Sequence, residues 1–244
     1  MNSLRRLTAS AVVLSTLFST PCCAQYPDMV LGSYLDPATG ANFTTWTAKP
    51  DSSGSGGVTF GVVLPADAAE TDATEYIGYL SCASTSADRT GWCGIAHGGH
   101  MIQGLLLVAW PHKGQVLTSF RWATDYFMPG VYQGNSTITQ ISSSVNDTGY
   151  ELIYRCENCF AWEDGEGYLG SMKSSSGELG FGYAQAADGP EDAGCPAGIT
   201  LQYHTQGYST WVGAVDGLTA PDYSALADGY RRSLCRVRGV KPQV

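Results

Sequence analysis

Two side chains able to bind a soft metal centre stand out in this chain. Met101 sits in the glycine-rich turn of WCGIAHGGHMIQGLLLVAW (92–110), and His204 is isolated in TLQYHTQGYSTWVGAVD (200–216). A thioether and an imidazole brought together across a β-fold can ligate a haem iron from both sides. Such a low-spin iron has a raised potential and suits passing electrons rather than binding oxygen. Each residue also has a plainer reading: methionine as a gap filler at a strand start, histidine as a hydrogen-bonded polar group. His97 and His100 stand beside Met101 and leave a bis-histidine pairing with His204 open. In an extended segment His100 points away from Met101, which favours the methionine. As an H-x-x-H pair, His97 and His100 could hold copper or zinc, but no third ligand is evident.

Other constellations carry less. Glu157, Glu163, Asp164 and Glu166 crowd the stretch CENCFAWEDGEG, and read better as a solvated loop than as paired catalytic carboxylates. No serine has a nucleophile-elbow context, no cysteine reads as a catalytic thiol, and no G-x-G-x-x-G follows a strand. Hydrolase and dinucleotide chemistry have no support.

The elements that must position Met101 and His204 are strands. Helical periodicity is nearly absent; short runs of Val, Ile, Tyr, Phe, Trp and Thr alternate with Gly, Ser, Asn, Asp and Pro. Strands are expected at Asn42–Trp46, Val58–Leu64, Tyr76–Ser81, Trp92–Ala96, Leu105–Pro111, Gln115–Ala123, Thr137–Val145, Tyr150–Cys156, Glu178–Ala184 and Tyr208–Val215. That spacing predicts an all-β, antiparallel, immunoglobulin-like β-sandwich of one domain. A short helix is expected within Ala220–Arg232. The run LLLVAW does not alternate, so its strand is expected to be covered on both faces, by the core and by either a flat cofactor or a loop.

Residues 1–24 read as a secretory signal peptide. Arg5 and Arg6 precede an apolar core, Leu7–Phe18, too short for a membrane span, and cleavage is expected after Ala24. The mature chain then carries 11 Lys and Arg against 22 Asp and Glu; this charge of about −11 makes nucleic acid and anionic membranes poor partners. Six cysteines remain, an even number that implies disulfides in a secreted chain. The expected pairs are Cys82–Cys93 across a hairpin end, Cys156–Cys159 as a local C-x-x-C bridge, and by elimination Cys195–Cys235, tying the tail (217–244) to the domain. Asn42, Asn135 and Asn146 head N-x-Thr sequons and are candidate glycosylation sites.

The motifs GGHM, LLLVAW, RWATDY, RCENC and YHT occur in an order that resembles the haem b cytochrome domain of cellobiose dehydrogenases and related fungal secreted proteins, a DOMON-like module. The resemblance covers roughly Gln25–Asp216. It implies Met101 and His204 as the axial ligands, Trp110 and Tyr126 beside the haem, and the Cys156–Cys159 bridge. Three departures accompany it: the histidines next to Met101, cysteine pairs without a clear family match, and a chain that stops where the best-known members continue into a flavin dehydrogenase. The expectation is a free-standing, monomeric electron carrier rather than an enzyme. It would take single electrons from an extracellular flavin dehydrogenase and pass them to a partner such as a copper-dependent lytic polysaccharide monooxygenase, in lignocellulose breakdown. Two alternatives stand beside it. One is a haem-free carbohydrate-binding sandwich using Trp162, Tyr168, Tyr208 and Trp211; the other is a ferric reductase.

Overall fold

The computed structural model describes residues 29–48, 56–85, 91–164 and 167–228. Residues 1–28, with the expected signal peptide, and residues 229–244, with Cys235, lie outside them. Among the described residues there are fourteen strands: β1 (Met29–Leu35), β2 (Asn42–Ala48), β3 (Val58–Val63), β4 (Glu75–Ala83), β5 (Trp92–His97), β6 (Leu106–His112), β7 (Gln115–Trp122), β8 (Gly130–Val131), β9 (Thr137–Asn146), β10 (Gly149–Glu157), β11 (Ala161–Glu163), β12 (Leu169–Ser171), β13 (Glu178–Ala186) and β14 (Gly207–Ala214). The ten anticipated strands are all present, displaced by at most two residues at either end. β1, β8, β11 and β12 were not anticipated. β8, β11 and β12 are too short to carry a pattern, and a glycine interrupts β1.

All named pairings are antiparallel. One sheet runs β1-β2-β3-β4-β10-β9, the other β14-β13-β5-β6-β7-β8, with β11-β12 a separate ribbon. Side chains alternate across each strand, and the inner faces meet in a core built from Phe60, Val62, Tyr76, Leu80, Leu152 and Tyr154 of the first sheet. Ile95, Leu107, Ala109, Leu179, Phe181 and Trp211 answer from the second. A short helix covers 223–228, part of the stretch expected near the C-terminus. No described helix is long and apolar enough to cross a membrane.

Cys82 and Cys93 are bonded, but not across a hairpin. β4 and β5 belong to different sheets, so the bridge staples the sandwich through its core, where both cysteines are buried. Cys156 and Cys159 are bonded across a tight turn, in which Asn158 takes φ 57°. Cys195 is exposed and has no disulfide partner among the described residues; its expected partner, Cys235, lies outside them.

Candidate functional site

The outer face of the second sheet holds the site. Register places its two ends. Phe181 of β13 pairs with His97 and Trp211, while Gln185 pairs with Cys93 and Gly207. β5 and β14 therefore run the same way on either side of β13. The loop bearing Met101 leaves the far end of β5, and the segment bearing His204 arrives at the near end of β14. Both residues reach the same face, from opposite ends.

Between them lies a cavity of about 520 Å³ lined by Met101, His204 and Tyr126 together, within the size range of cofactor pockets. Its floor is made of small outward-facing residues: Gly94 and Ala96 of β5, Gly182 and Ala184 of β13. A Cβ added at Gly182 would come within 3.5 Å of the Ala96 Cβ and 3.2 Å of the Ser209 carbonyl, and one at Gly94 within 3.8 Å of Val108. Four small residues side by side leave a trough in a sheet face that larger side chains would otherwise fill. Leu106 and Val108 form an apolar wall. Tyr126, Tyr203 and Tyr208 stand at the rim, 77%, 68% and 64% exposed. The floor was legible only as G/A at every second position of two strands, a signal that becomes visible once the register is known.

His204 is half-buried, its ring set between Tyr203 at 4.3 Å and Tyr208 at 4.7 Å between ring centroids. Burial lowers its pKa, so the imidazole is neutral at neutral pH with a lone pair to offer. Its Nδ1 is buried and makes no hydrogen bond to another described residue. Met101 follows a turn in which Gly98 and Gly99 take φ 83° and 79°, left-handed values that favour glycine. His100 also lines the cavity; its Nδ1 bonds the Gly98 carbonyl at 2.7 Å.

The remaining candidates do not converge there. His97 is fully buried on the inner face, with Nε2 2.7 Å from the Tyr76 hydroxyl and Nδ1 2.7 Å from the Leu105 carbonyl. It cannot compete for a group in the cavity, and alternation along β5 puts it on the face opposite Ala96. With His100 on the cavity side, the H-x-x-H pair does not converge on one metal. His97 does lie close to Cys156 and Cys159, but those sulfurs are joined and offer no thiolate. Trp110, expected beside the cofactor, is fully buried and absent from the lining. Its indole N–H donates to the Ala193 carbonyl at 2.9 Å, because the 188–198 loop folds over that end of the face. It packs instead in one cluster with Val108, supporting the wall from one side. The non-alternating run thus has both expected covers, cavity over Leu106 and Val108, loop over Trp110. Trp162 and Trp211, each 3% exposed, are core residues and cannot form the glycan-stacking platform.

The cytochrome domain of cellobiose dehydrogenase is the family whose model matches, over residues 34–225. The solved cytochrome domain of Myriococcum thermophilum cellobiose dehydrogenase is 47% identical, with a TM-score of 0.76 over 82% of this chain and 96% of that one. The cytochrome b domain of pyranose dehydrogenase from Coprinopsis cinerea is 25% identical, with a TM-score of 0.61 over 79% and 92%. A pyrroloquinoline quinone-dependent pyranose dehydrogenase of Coprinopsis cinerea is 30% identical over 151 residues, 62% of this chain but only 19% of that enzyme's length. An all-β sandwich with this cavity, matched over most of its length, belongs to the family of cytochrome domains of cellobiose dehydrogenase.

Proposed function

We propose that this chain is a secreted haem b protein that carries single electrons, with Met101 and His204 as the residues that would hold the iron. The observation that carries the reading is one cavity, floored by small residues, into which a thioether and a neutral imidazole project from opposite ends of a sheet. When bound, haem supplies a one-electron couple at its iron. The chain's own residues do the rest. Gly94, Ala96, Gly182 and Ala184 make room for a flat group, and Leu106 and Val108 keep water from it. Tyr203 and Tyr208 hold the His204 ring, and the Tyr126 phenol at the rim suits a hydrogen bond to a carboxylate. The exposed rim offers an edge for brief docking, and redox encounters use small, weak interfaces.

A dehydrogenase is the donor this reading favours, since the similar solved domains come from cellobiose and pyranose dehydrogenases. A copper monooxygenase is the proposed acceptor. Secretion is supported by the signal-like N-terminus, by two internal disulfides and by sequon asparagines Asn42, Asn135 and Asn146, all exposed.

The test is an ultraviolet–visible spectrum of the secreted protein, oxidised and dithionite-reduced. Sharp low-spin haem b bands that shift reversibly are expected. A protein that stays colourless when haem is supplied would end the reading. Because His100 shares the cavity, Met101→Ala and His100→Ala are compared: only the former is expected to alter the bands.

A further inference from the structure

The loop that carries Met101 is held from beneath by a residue that never reaches the cavity. His97 ends β5, and its backbone N–H and ring Nδ1 both approach the Leu105 carbonyl, at 3.0 and 2.7 Å. One residue therefore ties together the two ends of the 98–104 loop. A carbonyl only accepts, so Nδ1 carries the proton and Nε2 is the acceptor. It receives the Tyr76 hydroxyl at 2.7 Å, and the Tyr154 hydroxyl donates in turn to Tyr76 at 3.2 Å. Tyr76 and Tyr154 stand in β4 and β10 of the opposite sheet, so the clamp is anchored across the whole sandwich.

Two further bonds fix the same loop. The Gln103 N–H donates to the Ala123 carbonyl at 2.8 Å, and the Trp162 indole N–H donates to the Gln103 carbonyl at 3.2 Å. The surroundings of His97 are aromatic: Phe120, Trp162 and Phe181 have ring centroids 6.1–6.5 Å away. A phenylalanine would fill that cage without the desolvation cost of an imidazole. What it would not supply is the second donor to Leu105 or the acceptor for Tyr76.

We propose that His97 is a positioning residue, whose bonds to Leu105 and Tyr76 clamp the 98–104 loop and hold the Met101 thioether where it ligates the cofactor. The proposal rests on the reading that Met101 is a ligand, and goes beyond it by assigning control of that ligand to a core residue outside the cavity.

The experiment compares the parent with His97→Phe, His97→Asn, Tyr76→Phe and Met101→Ala. Hydrogen exchange of the loop amides is read on haem-free protein, and carbon monoxide binding on the reduced, haem-loaded protein. A bound methionine blocks carbon monoxide. His97→Phe is expected to speed exchange at Gln103 and its neighbours. It is also expected to shift the on/off balance of the methionine by about tenfold, the effect of losing the ring's hydrogen bond to Leu105, so that carbon monoxide binds up to about tenfold more tightly than to the parent and still less tightly than to Met101→Ala. His97→Asn, whose side-chain N–H can take the place of Nδ1–H, should restore both partway. If His97→Phe binds carbon monoxide like the parent while Met101→Ala binds it freely, the positioning role is wrong. If Met101→Ala itself matches the parent, the ligand reading falls and takes the proposal with it; faster loop exchange in His97→Phe would then mark a purely structural clamp. Should His97→Phe fail to fold, Tyr76→Phe decides: raised carbon monoxide binding supports the proposal, and parental binding overturns it.

Discussion

Met101 and His204 do unequal work in the proposed site, and their removal should differ in kind. Met101→Ala leaves the wall, floor and histidine in place. Haem is expected to stay bound with changed bands and a potential moved on the order of 0.1 V, read by spectroelectrochemical titration. His204→Ala removes the ligand seated between two tyrosines, and stable incorporation should be largely lost, read as the haem-to-protein absorbance ratio. A parental spectrum in both variants would sink the assignment. His97, besides its proposed hold on the loop, bears on stability. Burial depresses its pKa from 6.5 to about 4, so between those values the unfolded chain takes up a proton that the folded chain refuses. Its share of stability is complete above about pH 6.5 and falls as pH drops towards 4, by about 3 kcal/mol across the window. Urea unfolding at pH 7 and 4.5 should show a smaller loss in His97→Phe than in the parent; equal losses would contradict this account.

Among the elements, β13 joins the two halves of the site, and its small residues are what make the trough. Ala184→Val suits a strand but puts branched carbons where the flat group should lie. Overpacking of this kind costs about 1–3 kcal/mol; haem affinity should fall roughly tenfold to a hundredfold while the haem-free protein melts near the parental temperature. Unchanged affinity would mean the cavity floor is not the contact surface. The Cys82–Cys93 staple is tested by the double change to alanine, which should cost about 3 kcal/mol and lower the melting temperature by roughly 5–10 °C. At this scale much was legible. Ten strands, both described disulfides and the two cavity-lining residues Met101 and His204 follow from residue type and spacing, together with the family resemblance. What was not legible depends on pairing across the chain. Cys82–Cys93 was expected within a hairpin because its partners are close in sequence, yet they belong to different sheets. Trp162 and Trp211 suit a sugar platform by residue type alone because aromatic residues fit either face of a strand, and only the register says which face is inside. Trp110 was displaced from the cavity lining by a loop whose covering role leaves no pattern in its composition.

For the molecule as a whole, charge governs encounters. With 22 acidic residues against 13 basic ones in the full chain, approach to a basic one-electron acceptor should be steered, and approach to an acidic one opposed. Stopped-flow electron transfer should therefore slow with rising salt for a basic acceptor and quicken for an acidic one. The same sign of salt effect for both would place control in a local patch rather than in net charge. The position of the cavity has a different bearing. It lies on the outside of one sheet, whereas most of the apolar burial lies between the two sheets and is tied there by a disulfide. The scaffold and its cargo are thus largely separable. Cofactor removal should empty a surface trough without opening the interior, so the chain can fold first and be loaded afterwards. The trough can also be reshaped by substitution with little penalty to the architecture beneath it.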